Sequence, residues 1–133
     1  MKIDDKILAE MHKDAKEVYH NAYSPYSKFH VAASILCRDG RIFTGVNIEN
    51  ASFGLTRCAE QIAIGNAITN GCREIDAVLV ITRDGTSWPC GACRQILAEF
   101  NINMMVYTAD ENEIKAEKSL NQLIPYNFSS EEL

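Results

Sequence analysis

A chain of 133 residues is long enough for one domain, expected to span residues 1–133, around a single sizeable core. Its formal charge of −5, with no lysine- or arginine-rich run, has the wrong sign for a nucleic-acid surface and suits a small soluble substrate better than a polyanion. No stretch approaches the roughly eighteen apolar residues of a membrane span, and the charged start, Lys2 to Lys6, lacks an apolar core of signal-peptide length, so a cytoplasmic protein is expected.

The predicted elements follow in chain order. Residues 5–23 form an amphipathic helix, with Ile7, Leu8, Met11, Ala15, Val18, Tyr19 and Ala22 at helical spacing. Ser24-Pro25 ends it. Residues 29–37 read as a strand, Asp39-Gly40 as a hairpin turn, and residues 42–46 as the returning strand. An irregular loop over 47–57 leads into a helix over 59–70, which Gly71 stops. The apolar run within 75–82 reads as a buried central strand. A short loop carrying Trp88 and Pro89 precedes a helix over 92–100 and a strand over 104–107. Helix, hairpin, helix, strand, helix, strand is the order of an α/β layered domain with a mixed sheet.

The chemistry is concentrated in a split cysteine pattern. Cys58-Ala59-Glu60 opens one predicted helix, and Pro89-Cys90-Gly91-Ala92-Cys93 opens the next. Helix starts carry partial positive charge and unpaired N–H groups, which favour a thiolate over a thiol. Three thiolates suit zinc and leave one tetrahedral position open. Water at such a position becomes acidic near neutral pH, and Glu60 stands close by to accept and return its proton. The pattern is that of zinc deaminases acting on aminated bases.

Blander readings of the same residues exist. The cluster is a structural zinc site if Cys37 or Cys72 supplies a fourth ligand, but Glu60 then has no purpose beside the metal. The segment Trp88 to Cys93 has thioredoxin-like spacing, which explains neither Cys58 nor Glu60. Five cysteines, an odd number, disfavour a full disulfide framework, and Cys37 and Cys72 are expected to pack as small buried apolar groups. His12, His20 and His30 are expected in surface or core roles rather than as ligands.

Beyond the cysteines, the chain resembles the small homotetrameric cytidine deaminases. Tyr23 to Phe29, Gly45 to Ala51, Pro89 to Gln95 and the tail from Leu123 to Phe128 with Glu131 to Leu133 are similar to that family's motifs, in order and over nearly the whole chain. The resemblance implies a three-layer fold with a mixed, roughly five-stranded sheet flanked by helices. It implies one zinc per subunit held by Cys58, Cys90 and Cys93, with Glu60 as general acid and base. Asn47 and Glu49 would bind the ribose hydroxyls, Phe29 would stack on the pyrimidine, and the Ala59 backbone would contact the base. Phe128 would approach a neighbouring subunit's site, so the sites of a homotetramer would lie at subunit interfaces. The implied activity is hydrolysis of cytidine and deoxycytidine to uridine and deoxyuridine in pyrimidine salvage.

Some residues depart from that pattern. The family commonly has arginine after the catalytic glutamate, where Gln61 stands here. Three thiolates and Zn²⁺ sum to −1, and glutamine offers hydrogen bonds but no compensating charge. Slower turnover than in an arginine-bearing relative is therefore expected, and Arg57, where the family usually has an apolar residue, either restores part of the charge or is a solvated arginine at the loop end. The stretch Phe29-His30-Val31-Ala32-Ala33 has histidine and alanine where the family often shows proline and glycine, and Phe53-Gly54 replaces a common tyrosine-proline pair, which leaves the preferred nucleoside open. A deaminase of a modified nucleoside such as blasticidin S is the alternative enzyme, although Glu49 is of little use to a sugar without a diol. Polynucleotide editing is disfavoured by the acidic chain, and the non-enzyme alternative is a structural zinc module.

Overall fold

The structure, a computed structural model, describes residues 2–133. Helix α1 (Asp5–Val18) is capped by Asp4, whose carboxylate accepts the Lys6 N–H at 2.8 Å. It buries Leu8, Met11 and Ala15 along one stripe, and its end tightens into a 3-10 turn over Tyr19–Asn21. The remaining helices are α2 (Ala59–Thr69), α3 (Gly91–Ala98) and the short α4 (Leu120–Leu123). Gly71, at φ +89, supplies the left-handed residue that ends α2.

Five strands form one mixed sheet in the order β2-β1-β3-β4-β5: β1 (Ala32–Cys37), β2 (Ile42–Val46), β3 (Ile75–Ile81), β4 (Met105–Ala109) and β5 (Ile114–Ser119). Strand β1 runs antiparallel to both β2 and β3, β3 and β4 are parallel, and β5 returns antiparallel. The parallel pair is joined through α3, as a parallel connection requires a crossover. Central β3 is buried on both faces. Its Val78 and Val80 pack with Ala63, Ile64 and Leu97 of α2 and α3, while Ala77, Leu79 and Ile81 pack with Leu8, Met11 and Ala15 of α1. The result is the expected three layers, α1 on one face of the sheet and α2 with α3 on the other.

The differences from sequence expectation have local causes. Strand β1 begins at Ala32 rather than at residue 29, because the Asn47 side chain takes over the backbone there. Asn47 Oδ1 accepts the Val31 N–H at 2.9 Å, and Asn47 Nδ2 donates to the Phe29 carbonyl at 2.8 Å. Strand β5 and α4 lie in a stretch without predicted elements. β5 is a polar edge strand, Ile-Lys-Ala-Glu-Lys-Ser, with only its two ends partly buried, so no apolar alternation announces it.

Cys37 and Cys72 are buried in the apolar core as expected, but they are also bonded to each other. The bridge joins the end of β1 to the turn after α2, with Cα atoms 6.1 Å apart. That correction removes both as candidates for a fourth ligand.

One contact sets how closely α2 lies on the sheet. A Cβ added at Gly45 of β2 would stand 2.4 Å from Ala63 N and 2.8 Å from Ala59 O, both backbone atoms of α2. Backbone cannot yield as a flexible side chain can, so the helix seats only because residue 45 has no side chain. Gly45→Ala is expected to lower unfolding free energy by about 2 kcal/mol or more through overpacking, measured by denaturant unfolding. A variant as stable as the parent would contradict this account of helix seating.

Candidate active site

Both helix starts that carry cysteine point to the same place. Cys58 is the N-cap of α2 and Cys90 the N-cap of α3, each in extended conformation and with no side chain satisfying the first amides. Cys93 sits in the first turn of α3 and is buried. The three Sγ atoms lie within 4.8 Å of one another, with Cys58 and Cys90 at 3.9 Å. Tetrahedral zinc with Zn–S bonds of roughly 2.3 Å needs sulfurs about 3.8 Å apart, so the donor set fits that ion in number, type and spacing. The burial is graded: Cys93 is buried, Cys58 half-buried and Cys90 exposed, which leaves the cluster open on one side.

One thiol of the cluster, Cys58, favours the charged form. Hydrogen bonding from Cys93, and then from Cys90, holds the Cys58 thiol well below its ordinary value, and the Arg57 charge adds to this. Cys93 is pushed the opposite way by its hydrogen bond to Cys58 and by burial. One negative charge therefore settles on Cys58. Arg94 steadies the second ligand loop: its Nε donates to the Pro89 carbonyl at 2.6 Å and its Nη1 to the Leu123 carbonyl at 2.7 Å.

Glu60, the second residue of α2, is 5% exposed. Burial pushes its carboxyl up to about 7, and the neighbouring Cys58 charge adds to the rise. A carboxyl that gains and loses a proton near neutrality is suited to carrying one.

A cavity of about 290 Å³ opens over this end of the sheet and is lined by Cys58, Ala59, Glu60 and Cys90 together with Phe29, Asn47 and Glu49. The structure thus brings together the metal-ligand, carboxylate and sugar-binding candidates, with Cys93 just behind them. Asn47 is buried and braces residues 29–31, as described above. Glu49 accepts the backbone N–H groups of Tyr26 and Ser27 at 3.0 and 3.1 Å and the Ser27 hydroxyl. Phe128 is not brought to this cavity. It lies on the tail, 59% exposed, with its carbonyl accepting from Gln95 Nε2 at 2.9 Å. Ser27, Thr82 and Trp88 also line the cavity and were not singled out as site residues. Ser27 lies inside the Tyr23–Phe29 motif and Trp88 two residues before Cys90, so proximity to the motifs was the available signal.

No histidine joins the cluster. His12 meets the Asp110 carbonyl at 2.8 Å, His20 pairs with Glu111 at 2.9 Å, and His30 hydrogen-bonds the Ser24 hydroxyl.

Residues 5–109 match the family model described as the cytidine and deoxycytidylate deaminase zinc-binding region. The fold and the sulfur cluster together therefore define a zinc-binding deaminase domain. A cytidine deaminase of Sporosarcina psychrophila is 41% identical over 131 residues, 97% of this chain and 93% of the relative. The crystal structure of a cytidine deaminase from Burkholderia pseudomallei superposes with a TM-score of 0.83 at 35% identity, covering 90% of this chain and 98% of the other. The chain belongs to the cytidine deaminase family. A blasticidin-S deaminase of Bacillus cereus is more distant, at 28% identity over 112 residues, 77% of this chain and 79% of the relative.

The two charge-tuning candidates sit where an effect is possible. Gln61 Nε2 reaches Cys93 Sγ at 3.9 Å, a weak neutral hydrogen bond. The Arg57 guanidinium is held on the Gly54 and Thr56 carbonyls at 3.2 and 2.9 Å, close enough for its charge to act on Cys58. Gln61→Arg is expected to raise kcat by roughly fivefold, and Arg57→Ala to lower it by a similar factor, on the order of 1 kcal/mol for one charge near the site. Steady-state kinetics check this. An unchanged kcat in both variants would remove the charge argument.

Proposed function

We propose that the chain hydrolyses the amino group of cytidine and deoxycytidine, with water replacing the amine at the ring carbon and ammonia leaving, to give uridine and deoxyuridine. The observation that carries this reading is the burial of Glu60 beside three convergent thiols at the floor of a cavity whose wall holds Asn47 and Glu49. Cys58, Cys90 and Cys93 hold one zinc per subunit. When bound, the zinc supplies Lewis acidity that makes water nucleophilic at neutral pH.

The chain's own residues do the rest. Glu60 takes one proton of the attacking water and gives it to the ring nitrogen beside the aminated carbon, then takes the second from the hydroxyl so added and delivers it to the departing amine, which leaves as ammonia while that oxygen becomes the product carbonyl. Its burial keeps bulk water from competing for that proton. Phe29 stacks on the pyrimidine, the Ala59 backbone meets the base, and Asn47 and Glu49 take the sugar hydroxyls. Glu49 has about four acceptor positions, and its three protein donors leave room for one hydroxyl. Asn47 uses one donor and one acceptor on the backbone and keeps one of each. One sugar hydroxyl on each residue is consistent with substrates that carry one or two of them.

Residues 1–133 act as one catalytic domain. The enzyme works as a homotetramer in which a neighbour's Phe128 completes each cavity. The exposure of Phe53, Tyr126 and Phe128 supports an apolar contact surface of that kind. A cytoplasmic salvage enzyme fits the acidic chain, and no helix among the described residues is long and apolar enough to cross a membrane.

A structural zinc module would leave Glu60 buried and idle. Glu60→Ala is expected to retain zinc and lose at least about a thousandfold in kcat, checked by metal analysis alongside the fall in ultraviolet absorbance on deamination. Zinc retained with activity intact would refute the mechanism. In a panel of cytidine, deoxycytidine, cytosine and blasticidin S, turnover is expected for the first two. Turnover of blasticidin S alone would overturn the substrate reading.

A further inference from the structure

The segment between Ser24 and Val31 has no regular structure, yet every functional candidate on it is held. Lys28 sits at φ +61, the left-handed region that residues with a Cβ rarely adopt. The turn it makes brings the Phe29 N–H back onto Ser27 Oγ at 3.0 Å. Ser27 Oγ in turn donates its proton to Glu49 Oε2. The backbone amide therefore occupies a lone pair of the hydroxyl and leaves its proton directed at the carboxylate, a chain in which each hydrogen bond strengthens the next. The Tyr26 and Ser27 amides both fall on the other carboxylate oxygen, Oε1.

The distribution matters for what Glu49 can still accept. Oε1 is filled by two amides, while Oε2 carries only the Ser27 hydroxyl. Without that hydroxyl the carboxylate is anchored at Oε1 alone, and Oε2 can pivot about that anchor. With it, one lone pair of Oε2 is fixed in the cavity that Ser27, Phe29 and Glu49 share. The same hydrogen bond, ahead of the two amides and the Lys28 charge, keeps Glu49 below its ordinary carboxylate value. It is therefore ionised and acceptor-only at neutral pH.

We infer that Ser27 is a positioning residue for sugar recognition: its hydroxyl orients Glu49 so that a single acceptor lone pair is presented to one hydroxyl of the nucleoside. The inference rests on the reading of Glu49 as a sugar acceptor. Ser27 acts through Glu49 and takes no part in the proton transfers at Glu60, so its loss weakens substrate binding rather than the chemical step.

The test compares cytidine, by KM and kcat, with 2′,3′-dideoxycytidine, which lacks both sugar-edge hydroxyls, by its competitive inhibition constant. Ser27→Ala is expected to raise the KM for cytidine about tenfold with kcat changed less than about twofold. The inhibition constant of the dideoxynucleoside is expected to stay within about twofold. Ser27→Thr, which keeps the hydroxyl, is expected to restore the cytidine KM, and Ser27→Ala added to Glu49→Ala is expected to raise it no further. Equal weakening of both ligands by Ser27→Ala overturns the assignment, as does an undiminished KM increase in the Glu49→Ala background. An unchanged cytidine KM in Ser27→Ala with a raised KM in Glu49→Ala sinks the Ser27 role alone. An unchanged KM in Glu49→Ala sinks the reading of Glu49 itself.

Discussion

Everything at this site depends on two helix starts lying side by side at one end of a single sheet. The contact that fixes the first is steric. Gly45 lets the backbone of α2 rest on β2 at a distance no side chain would permit. Cys58 and Glu60 are carried on the first residues of that helix, so their position follows from its seating. The second helix start is fixed by the parallel β3–β4 pair, which α3 connects, and by Arg94, which ties the Pro89 carbonyl to the end of α4. Three sulfurs from segments about thirty residues apart converge because the sheet leaves the helices no other arrangement.

The electrostatics follow from that convergence. Hydrogen bonds from the neighbouring thiols place a negative charge on Cys58, and the helix-start amides and Arg57 offset part of it. At Glu60 burial is the largest influence and pushes the carboxyl up to about 7. Cys58 and Glu60, two residues apart, thus have their protonation pushed in opposite directions, one towards ligation and the other towards proton carriage. At the far wall of the cavity the logic is different. Glu49 spends most of its hydrogen-bonding capacity on the chain itself and Asn47 about half. Such residues are rigid because they are also structural, and rigidity lowers the entropy lost on binding.

Much of this was legible in the sequence because the signals were local. Apolar periodicity marks α1, the unbroken run at 75–81 marks a strand buried on both faces, and cysteine at successive helix starts beside glutamate marks the metal centre. Other features depend on partners remote in the chain. β5 is polar because it lies at an edge, and only its pairing with β4 makes it a strand. Cys37 and Cys72 read as apolar fillers, since nothing in the spacing of 35 residues says that the end of β1 meets the turn after α2. Asn47 and Glu49 stand out through resemblance, but their bracing of the loop to Phe29 appears only when both segments are seen together. Ser27 carries no signal of its own, because a serine in a loop is ordinary until its hydroxyl is found on a carboxylate.

The central claim is that three thiolates, and no fourth protein ligand, hold the zinc at an open position. Zinc K-edge X-ray absorption on the purified protein tests it most directly. The account predicts three sulfur scatterers at roughly 2.3 Å and one lighter oxygen or nitrogen scatterer near 2.0 Å. Four sulfurs, or fewer than three, would contradict it.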